Sequence, residues 1–134
     1  PITADEIGEE AARCAQAGAS VIHLHVRDDA GNPSQDRARF AAAIAAIRAR
    51  ADVVIQCSTG GAVGMSIDER CGALSLSGVD APDMATLNVG TINFGDDIFV
   101  NRRQNTMEVA RRITAAGLIA EVEIYDLGHL DITA

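Results

Sequence analysis

Two histidines placed two residues apart are the sharpest chemical feature of the sequence. His23 and His25 lie in residues 20–26, whose β-branched and apolar content predicts a strand. Alternate side chains of a strand share a face, so both imidazoles can occupy adjacent positions on one metal ion. Imidazole favours zinc, copper, nickel or iron, and zinc is the default where no redox partner is visible. The pattern also fits an edge strand with two solvated or hydrogen-bonded histidines, because two ligands alone are not a site.

A glycine-rich loop, Ser-Thr-Gly-Gly over residues 58–61, follows a second predicted strand over 53–57. Hydroxyl groups and closely approachable backbone amides at the carboxyl end of a strand suit a bound phosphate or carboxylate. The chain contains no lysine, which argues against a nucleoside triphosphate loop and against Schiff-base chemistry. By themselves these residues fit an ordinary glycine turn better than a binding loop.

Two carboxylates share one face of the last predicted strand, over residues 120–125. Glu121 and Glu123 alternate there with Val122 and Ile124. Burying such charges is costly unless a metal or a cationic ligand group accompanies them. Pointing into a barrel, a glutamate near the carboxyl end of its strand can act as an acid, a base or an ammonium binder. An exposed half-strand fits the same pattern.

Helical and extended segments alternate along the chain. Helices are predicted over 3–17 and 35–50, after Ser66, and from a cap at Asn105 or Thr106 to Gly117; strands are predicted over 20–26, 53–57, 84–88 and 120–125. Residues 89–101 are predicted to be a long loop. Strands separated by helices lie parallel. The long polar loops all follow strands, which favours a (β/α) barrel over a doubly wound sheet.

The amino-acid composition of the chain argues against several classes of function. The 134 residues carry a net charge of −8, and an acidic chain repels nucleic acid at long range. No apolar stretch reaches the ~18–20 residues that span a bilayer, and no leader segment opens the chain, so neither a membrane partner nor secretion is expected. Three cysteines without a CxxC pair fit buried apolar positions in a reducing cytoplasm.

Four runs of sequence resemble the β-keto acid cleavage enzyme family. They are AGASVIHLHVRD over 17–28, STGGAVGMS over 58–66, MATLNVGTINFG over 84–95 and EVEIYDLGHL over 121–130. The runs come in the family's order and together extend through nearly the whole chain. Ala120 and Tyr125 depart from the family, where proline and phenylalanine are usual.

The resemblance implies an α/β fold of the (β/α)₈ TIM-barrel type. Residues 1–134 would form a single partial barrel domain, roughly half of it, from the first helix through the fifth strand. The implied activity is a zinc-dependent acyl transfer, in which a β-keto acid of the 3-keto-5-aminohexanoate type condenses with acetyl-CoA to give acetoacetate and an acyl-CoA. A cytoplasmic homo-oligomer is expected. The alternatives are a catalytically silent half-barrel, whose open sheet edges favour association, and a divalent-metal lyase of the aldolase type.

The resemblance also assigns site residues. His23 and His25 match zinc ligands, Thr59 and Thr86 match positions that hold the substrate carboxylate, and Glu123 matches the residue at the far end of the substrate. The full substrate-binding set is Thr59, Gly60, Gly61, Thr86, Asn88 and Glu123. A third zinc ligand, a glutamate, and the catalytic arginine and aspartate are expected beyond the end of this chain, so no catalytic residue is assigned within it.

Overall fold

The computed structural model describes residues 1–133. Helices and strands follow in the order α1 (Ala4–Gln16), β1 (Val21–Leu24), β2 (Val26–Arg27), β3 (Pro33–Ser34), α2 (Arg37–Arg48), β4 (Val54–Cys57), α3 (Ile67–Arg70), β5 (Met84–Asn88), β6 (Ile92–Phe94), β7 (Asp97–Phe99), α4 (Arg103–Ala115), β8 (Ile119–Glu123) and α5 (Leu130–Thr133). Short 3₁₀ turns occupy Gly72–Ser75, Gly78–Asp80 and Leu127–His129.

Strands β1, β4, β5 and β8 form one parallel sheet in that order. Parallel pairing requires a crossover between successive strands, and α2, α3 with its following 3₁₀ turns, and α4 supply these crossovers. The predicted alternation of helices and strands and the α/β class are confirmed. The sequential strand order is consistent with part of a (β/α) barrel, whereas a doubly wound sheet reverses its order at a switch point.

The two faces of this sheet have different chemistry. One face packs against the helices through the buried residues Leu24, Ile55, Cys57, Ala85 and Leu87. The other face carries His23, Gln56, Thr86, Glu121 and Glu123, since residues paired across parallel strands point to the same side. Apolar residues at the amino ends of the strands on this second face stay 38% to 64% exposed, namely Val21, Val54 and Ile119. The helices therefore pack against the first face, and the amino ends of the strands stay exposed on the second.

Local capping signals set several helix starts. Thr3 and Glu6 form a capping box at the start of α1, and Ser66 and Glu69 form another at the start of α3. The side chain of Asp36 accepts the Arg39 N–H and so begins α2. These bonds satisfy backbone donors that the first helical turn leaves free.

Three sequence predictions need correction. The strand predicted over 20–26 breaks at His25, because Val26–Arg27 pairs antiparallel with Pro33–Ser34 instead of continuing in the main sheet. The loop predicted over 89–101 contains a hairpin of β6 and β7, in which Gly95 takes the positive φ that a two-residue turn needs. Helix α4 begins at Arg103 without a side-chain cap, and Thr106 is instead buried inside the helix.

The cysteines behave largely as predicted. Cys57 and Cys71 are buried, Cys14 is half-buried, and all three are free. Burial raises the pKa of the Cys57 thiol to about 12, which keeps it protonated and unreactive. Within residues 1–133, no helix is both long enough and apolar enough to cross a bilayer.

The contact of α1 with α2 depends on Gly8. A Cβ added there would lie 2.7 Å from the carbonyl oxygen of Ala46, so the Gly8→Ala change forces the helices apart. We expect the free energy of unfolding of the intact protein to fall by about 1–3 kcal/mol, the usual cost of overpacking. Without a close helix contact at this position, the same change to alanine would raise the free energy of unfolding by about 0.5–1 kcal/mol.

Urea unfolding measures this change, with Glu9→Ala on the exposed side of the same helix as the control. An increase in unfolding free energy for Gly8→Ala would contradict the close helix contact.

Candidate metal and substrate site

The two histidines converge at the carboxyl end of β1. His23 is the third residue of this strand, and His25 occupies the break before β2. Their Nε2 atoms are 2.9 Å apart, and their rings meet edge to face with centroids 4.8 Å apart. The expectation that both imidazoles project together therefore holds, even though the strand ends between them.

This geometry places the two imidazole nitrogens within hydrogen-bond distance of each other. Burial, with a smaller contribution from His23, lowers the pKa of His25, so its ring is neutral at pH 7. A neutral ring has one nitrogen lone pair to donate to a metal ion. Two imidazole nitrogens this close together can bind the same ion, and zinc accepts such ligands.

The histidine pair fills only part of a metal shell. Among residues 1–133, no group of three or more histidine, cysteine, aspartate or glutamate side chains is arranged to hold a metal ion. Zinc sites use three or four protein ligands, or three and a water. The two histidines by themselves therefore do not complete a zinc site.

His23 is the first of three side chains that are joined by hydrogen bonds. Its Nδ1 lies 2.6 Å from Oε1 of Gln56, and Nε2 of Gln56 donates to Oε2 of Glu121 over 2.8 Å. Gln56 is only 2% exposed. The sequence prediction missed it, although a glutamine between the apolar residues Ile55 and Cys57 was a visible signal.

A cavity of about 350 Å³ opens beside the histidines. Its polar lining consists of His23, His25, Ser58, Gly60, Gly61, Asn88 and Glu123, and its apolar and aromatic lining includes Ile92, Phe94, Phe99 and Tyr125. Six of these positions are residues that the sequence assigned to metal or substrate. The hairpin aromatics were missed because their segment was predicted to be a loop.

Thr59 and Thr86 lie outside the cavity lining. The Thr59 hydroxyl donates to the Thr86 carbonyl over 2.7 Å, and the Thr86 hydroxyl accepts the Thr59 N–H over 3.0 Å. Both side chains are at most 1% exposed, so they fasten the glycine-rich loop to β5. Their contact with a substrate carboxylate stays a prediction. The loop hydroxyl on the cavity is that of Ser58, which accepts the Gly60 N–H.

A buried arginine supports the same loop. Arg70 is 3% exposed and donates to the Thr59 carbonyl and to the Asn101 side chain over 2.7 and 2.9 Å, while its guanidinium lies 4.8 Å from the centre of the Phe99 ring. Within the described residues no carboxylate pairs with it. Its hydrogen bonds therefore hold the glycine-rich loop from inside the protein.

The carboxylate of Glu123 is held by its neighbour Tyr125. The Tyr125 hydroxyl donates to Oε2 of Glu123, and this bond raises the pKa of Tyr125 to about 12. Glu123 also pairs in register with Asn88 on the adjacent strand, and both line the cavity. The cavity is thus lined by a carboxylate on β8 and by the glycine-rich loop after β4.

Comparisons with known proteins place the chain in one family. The family model of the beta-keto acid cleavage enzymes matches residues 1–134. The chain is 47% identical over 133 residues to the 3-keto-5-aminohexanoate cleavage enzyme of Fusobacterium nucleatum, covering 98% of this chain and 47% of that protein. It is 44% identical over 134 residues to the enzyme of the same name from Acetoanaerobium sticklandii, covering 98% and 48%.

A further relative is the 3-oxoadipate:acetyl-CoA acetyltransferase of Cupriavidus necator, 38% identical over 131 residues, with 97% of this chain and 44% of that protein covered. The chain thus spans about half the length of the curated relatives it matches. Because the family model covers every residue and the four motifs surround one cavity, the chain belongs to the β-keto acid cleavage enzyme family.

Proposed function

We propose that the protein is a zinc-dependent acyltransferase, which condenses a β-keto acid with acetyl-CoA to give acetoacetate and an acyl-CoA. The observation that carries this proposal is the convergence of the His23 and His25 Nε2 atoms beside a cavity that also holds an anion-binding loop and a carboxylate. The relatives named above support the reaction class, since they are a β-keto acid cleavage enzyme and an acetyl-CoA acetyltransferase by name.

We further propose that residues 1–134 are one partial domain of a (β/α)₈ barrel. The sequential parallel sheet supports this, as does the position of the cavity at the carboxyl ends of the strands, where barrel enzymes build their sites. In this arrangement the open polar face of the sheet becomes the interior of the barrel. A homo-oligomer and a cytoplasmic location remain part of the proposal.

Zinc at the histidine pair would supply a Lewis acid that polarises a substrate carbonyl and stabilises negative charge on its oxygen. His23 and His25 contribute nitrogen ligands. Ser58 and the backbone of Gly60 and Gly61 orient the substrate carboxylate, because the loop presents a hydroxyl and lacks Cβ atoms that would block the approach. The hairpin residues Ile92, Phe94 and Phe99 add apolar surface to the lining, against which the carbon chain of the substrate packs.

Glu123 selects the far end of the substrate. A carboxylate on the cavity wall favours a substrate with an ammonium group there, as in 3-keto-5-aminohexanoate. The Tyr125 hydroxyl restricts the rotation of this carboxylate and adds an oxygen acceptor for the same ammonium. The substrate class of the proposal is therefore a β-keto acid with a cationic tail.

A divalent-metal lyase of the aldolase type would use the same histidine pair but would not need acetyl-CoA. Consumption of the β-keto acid with and without acetyl-CoA separates the two reactions. Dependence on acetyl-CoA supports the acyltransferase, and full activity without it supports the lyase. A protein that is inactive under both conditions supports the silent half-barrel.

The His23→Ala change removes one proposed zinc ligand. We expect zinc affinity of the intact protein to fall by more than ~100-fold, beyond the loss typical of an outer-shell partner, and acetyl-CoA-dependent acetoacetate formation to fall to background. Metal analysis after dialysis and a coupled acetoacetate assay measure the two effects.

The control is His129→Asn, which removes the third histidine of the sequence but retains an acceptor for the Tyr125 N–H that His129 now binds. Unchanged zinc content and activity in His23→Ala would refute the metal assignment, as would an intact protein without stoichiometric zinc.

The Glu123→Gln change keeps the shape of the side chain but removes its charge. For a substrate with a distal ammonium we expect kcat/KM to fall about 10–100-fold, equivalent to about 1.4–2.8 kcal/mol, because the ion pair is lost. A β-keto acid with an uncharged tail of equal length serves as the control and should change little. An equal loss of kcat/KM for both substrates would mean that Glu123 does not recognise the charge of the substrate tail.

A further inference from the structure

Gln56 is a buried amide in a strand whose neighbouring residues are apolar. It is 2% exposed, while Ile55 and Cys57 on either side are fully buried. A buried amide without partners costs about 1–3 kcal/mol. Both ends of this amide have a partner, with His23 Nδ1 at 2.6 Å and Glu121 Oε2 at 2.8 Å. The side chain therefore bridges a histidine and a carboxylate across the sheet.

Glu121 settles the direction of these hydrogen bonds. A carboxylate only accepts, so the NH₂ group of Gln56 must face Glu121 and its carbonyl oxygen must face His23. A carbonyl oxygen likewise only accepts, so His23 donates from Nδ1–H. Glu121, which follows Gln56 by 65 residues in the sequence, thereby determines the tautomer of His23 through the Gln56 amide.

The selected tautomer is the one that a metal ligand needs. With the proton on Nδ1, the lone pair of His23 is on Nε2, the atom that faces His25 Nε2 at 2.9 Å. A metal-bound histidine generally donates its other ring N–H to a carboxylate, a carbonyl or a water, which fixes the ring and raises its basicity. The Gln56 carbonyl takes this place, and Glu121 keeps that carbonyl correctly oriented.

Three strands build this arrangement. His23 on β1 is in register with Gln56 on β4, and Glu121 lies on β8, beyond β5. All three side chains project from the polar face of the sheet. The bridge can form only after β1, β4, β5 and β8 have paired in the observed order.

We propose that Gln56 and Glu121 are positioning residues that hold His23 in the tautomer and orientation for binding a metal ion. This inference rests on the proposed function, since it requires His23 to be a ligand. Neither residue touches the metal or the substrate in this role. A purely structural bridge would change protein stability when broken but would leave metal affinity unaltered.

The test compares zinc affinity in three variants of the intact protein, measured by competition with a chromogenic chelator. Gln56→Leu removes both hydrogen bonds at similar volume, and Glu121→Ala removes the carboxylate. Glu121→Gln retains an oxygen that can accept from Gln56. We expect Gln56→Leu to weaken zinc binding by about 10–100-fold. Glu121→Ala should also weaken it. Glu121→Gln should keep most of the affinity that Glu121→Ala loses. Gln16→Leu, an exposed glutamine of α1, is the matched control.

A second readout does not need the metal. Nitrogen-15 NMR of the metal-free protein reports which ring nitrogen of His23 carries the proton. The native protein should show a protonated Nδ1 and a free Nε2, and Gln56→Leu should show a mixture of the two tautomers. If Gln56→Leu fails to fold, the two Glu121 variants carry the test, because Glu121 lies in an exposed edge strand.

The outcomes separate this inference from the proposed function. If His23→Ala abolishes zinc binding but Gln56→Leu and Glu121→Ala bind zinc as tightly as the native protein, the positioning role is overturned and the zinc enzyme stands. If the native protein binds no zinc, both are overturned. If Gln56→Leu changes both the zinc affinity and the tautomer of His23, and Glu121→Gln regains the zinc affinity that Glu121→Ala loses, the positioning role is established.

Discussion

The register of the four parallel strands is the constraint on which the rest of the structure depends. Because side chains alternate along each strand, one register puts the apolar set against the helices and the polar set on the opposite face. A slip of one residue in β4 would move Gln56 into the helix-packed core and expose Ile55. Packing energy on one face of the sheet therefore decides the geometry of the site on the other.

The loop after β4 shows how that geometry is kept rigid. Paired hydrogen bonds between Thr59 and Thr86 fasten the loop to β5, and the guanidinium of Arg70 holds the Thr59 carbonyl from the other side. Arg70 also contacts Asn101 and Phe99, so it joins the loop to the segment that contains the β6–β7 hairpin. A ligand that binds at a loop held in this way does not have to spend binding energy on ordering it. The two threonines thus support the cavity from behind its lining.

Much of the fold could be predicted from the sequence because its signals are local. The capping boxes of α1 and α3 each depend on two residues three positions apart, and the strand over 84–88 matches its predicted bounds. The errors arose where a distant contact overrode the local pattern. The break at His25 follows from pairing with Pro33–Ser34, and the hairpin over 92–99 requires two short strands that are too weak as patterns to be recognised alone.

By itself, the sequence determined the histidine pair, the glycine-rich loop, the two glutamates of the last strand and the family to which these motifs belong. Each of these depends on spacing within a few residues, which strand periodicity converts directly into a shared face. Only the tertiary structure decided that Gln56 links His23 to Glu121 by hydrogen bonds and that Arg70 supports the glycine-rich loop from inside the protein. Those contacts join residues 11 to 65 positions apart, and such pairs meet only when the sheet has assembled in its order and register.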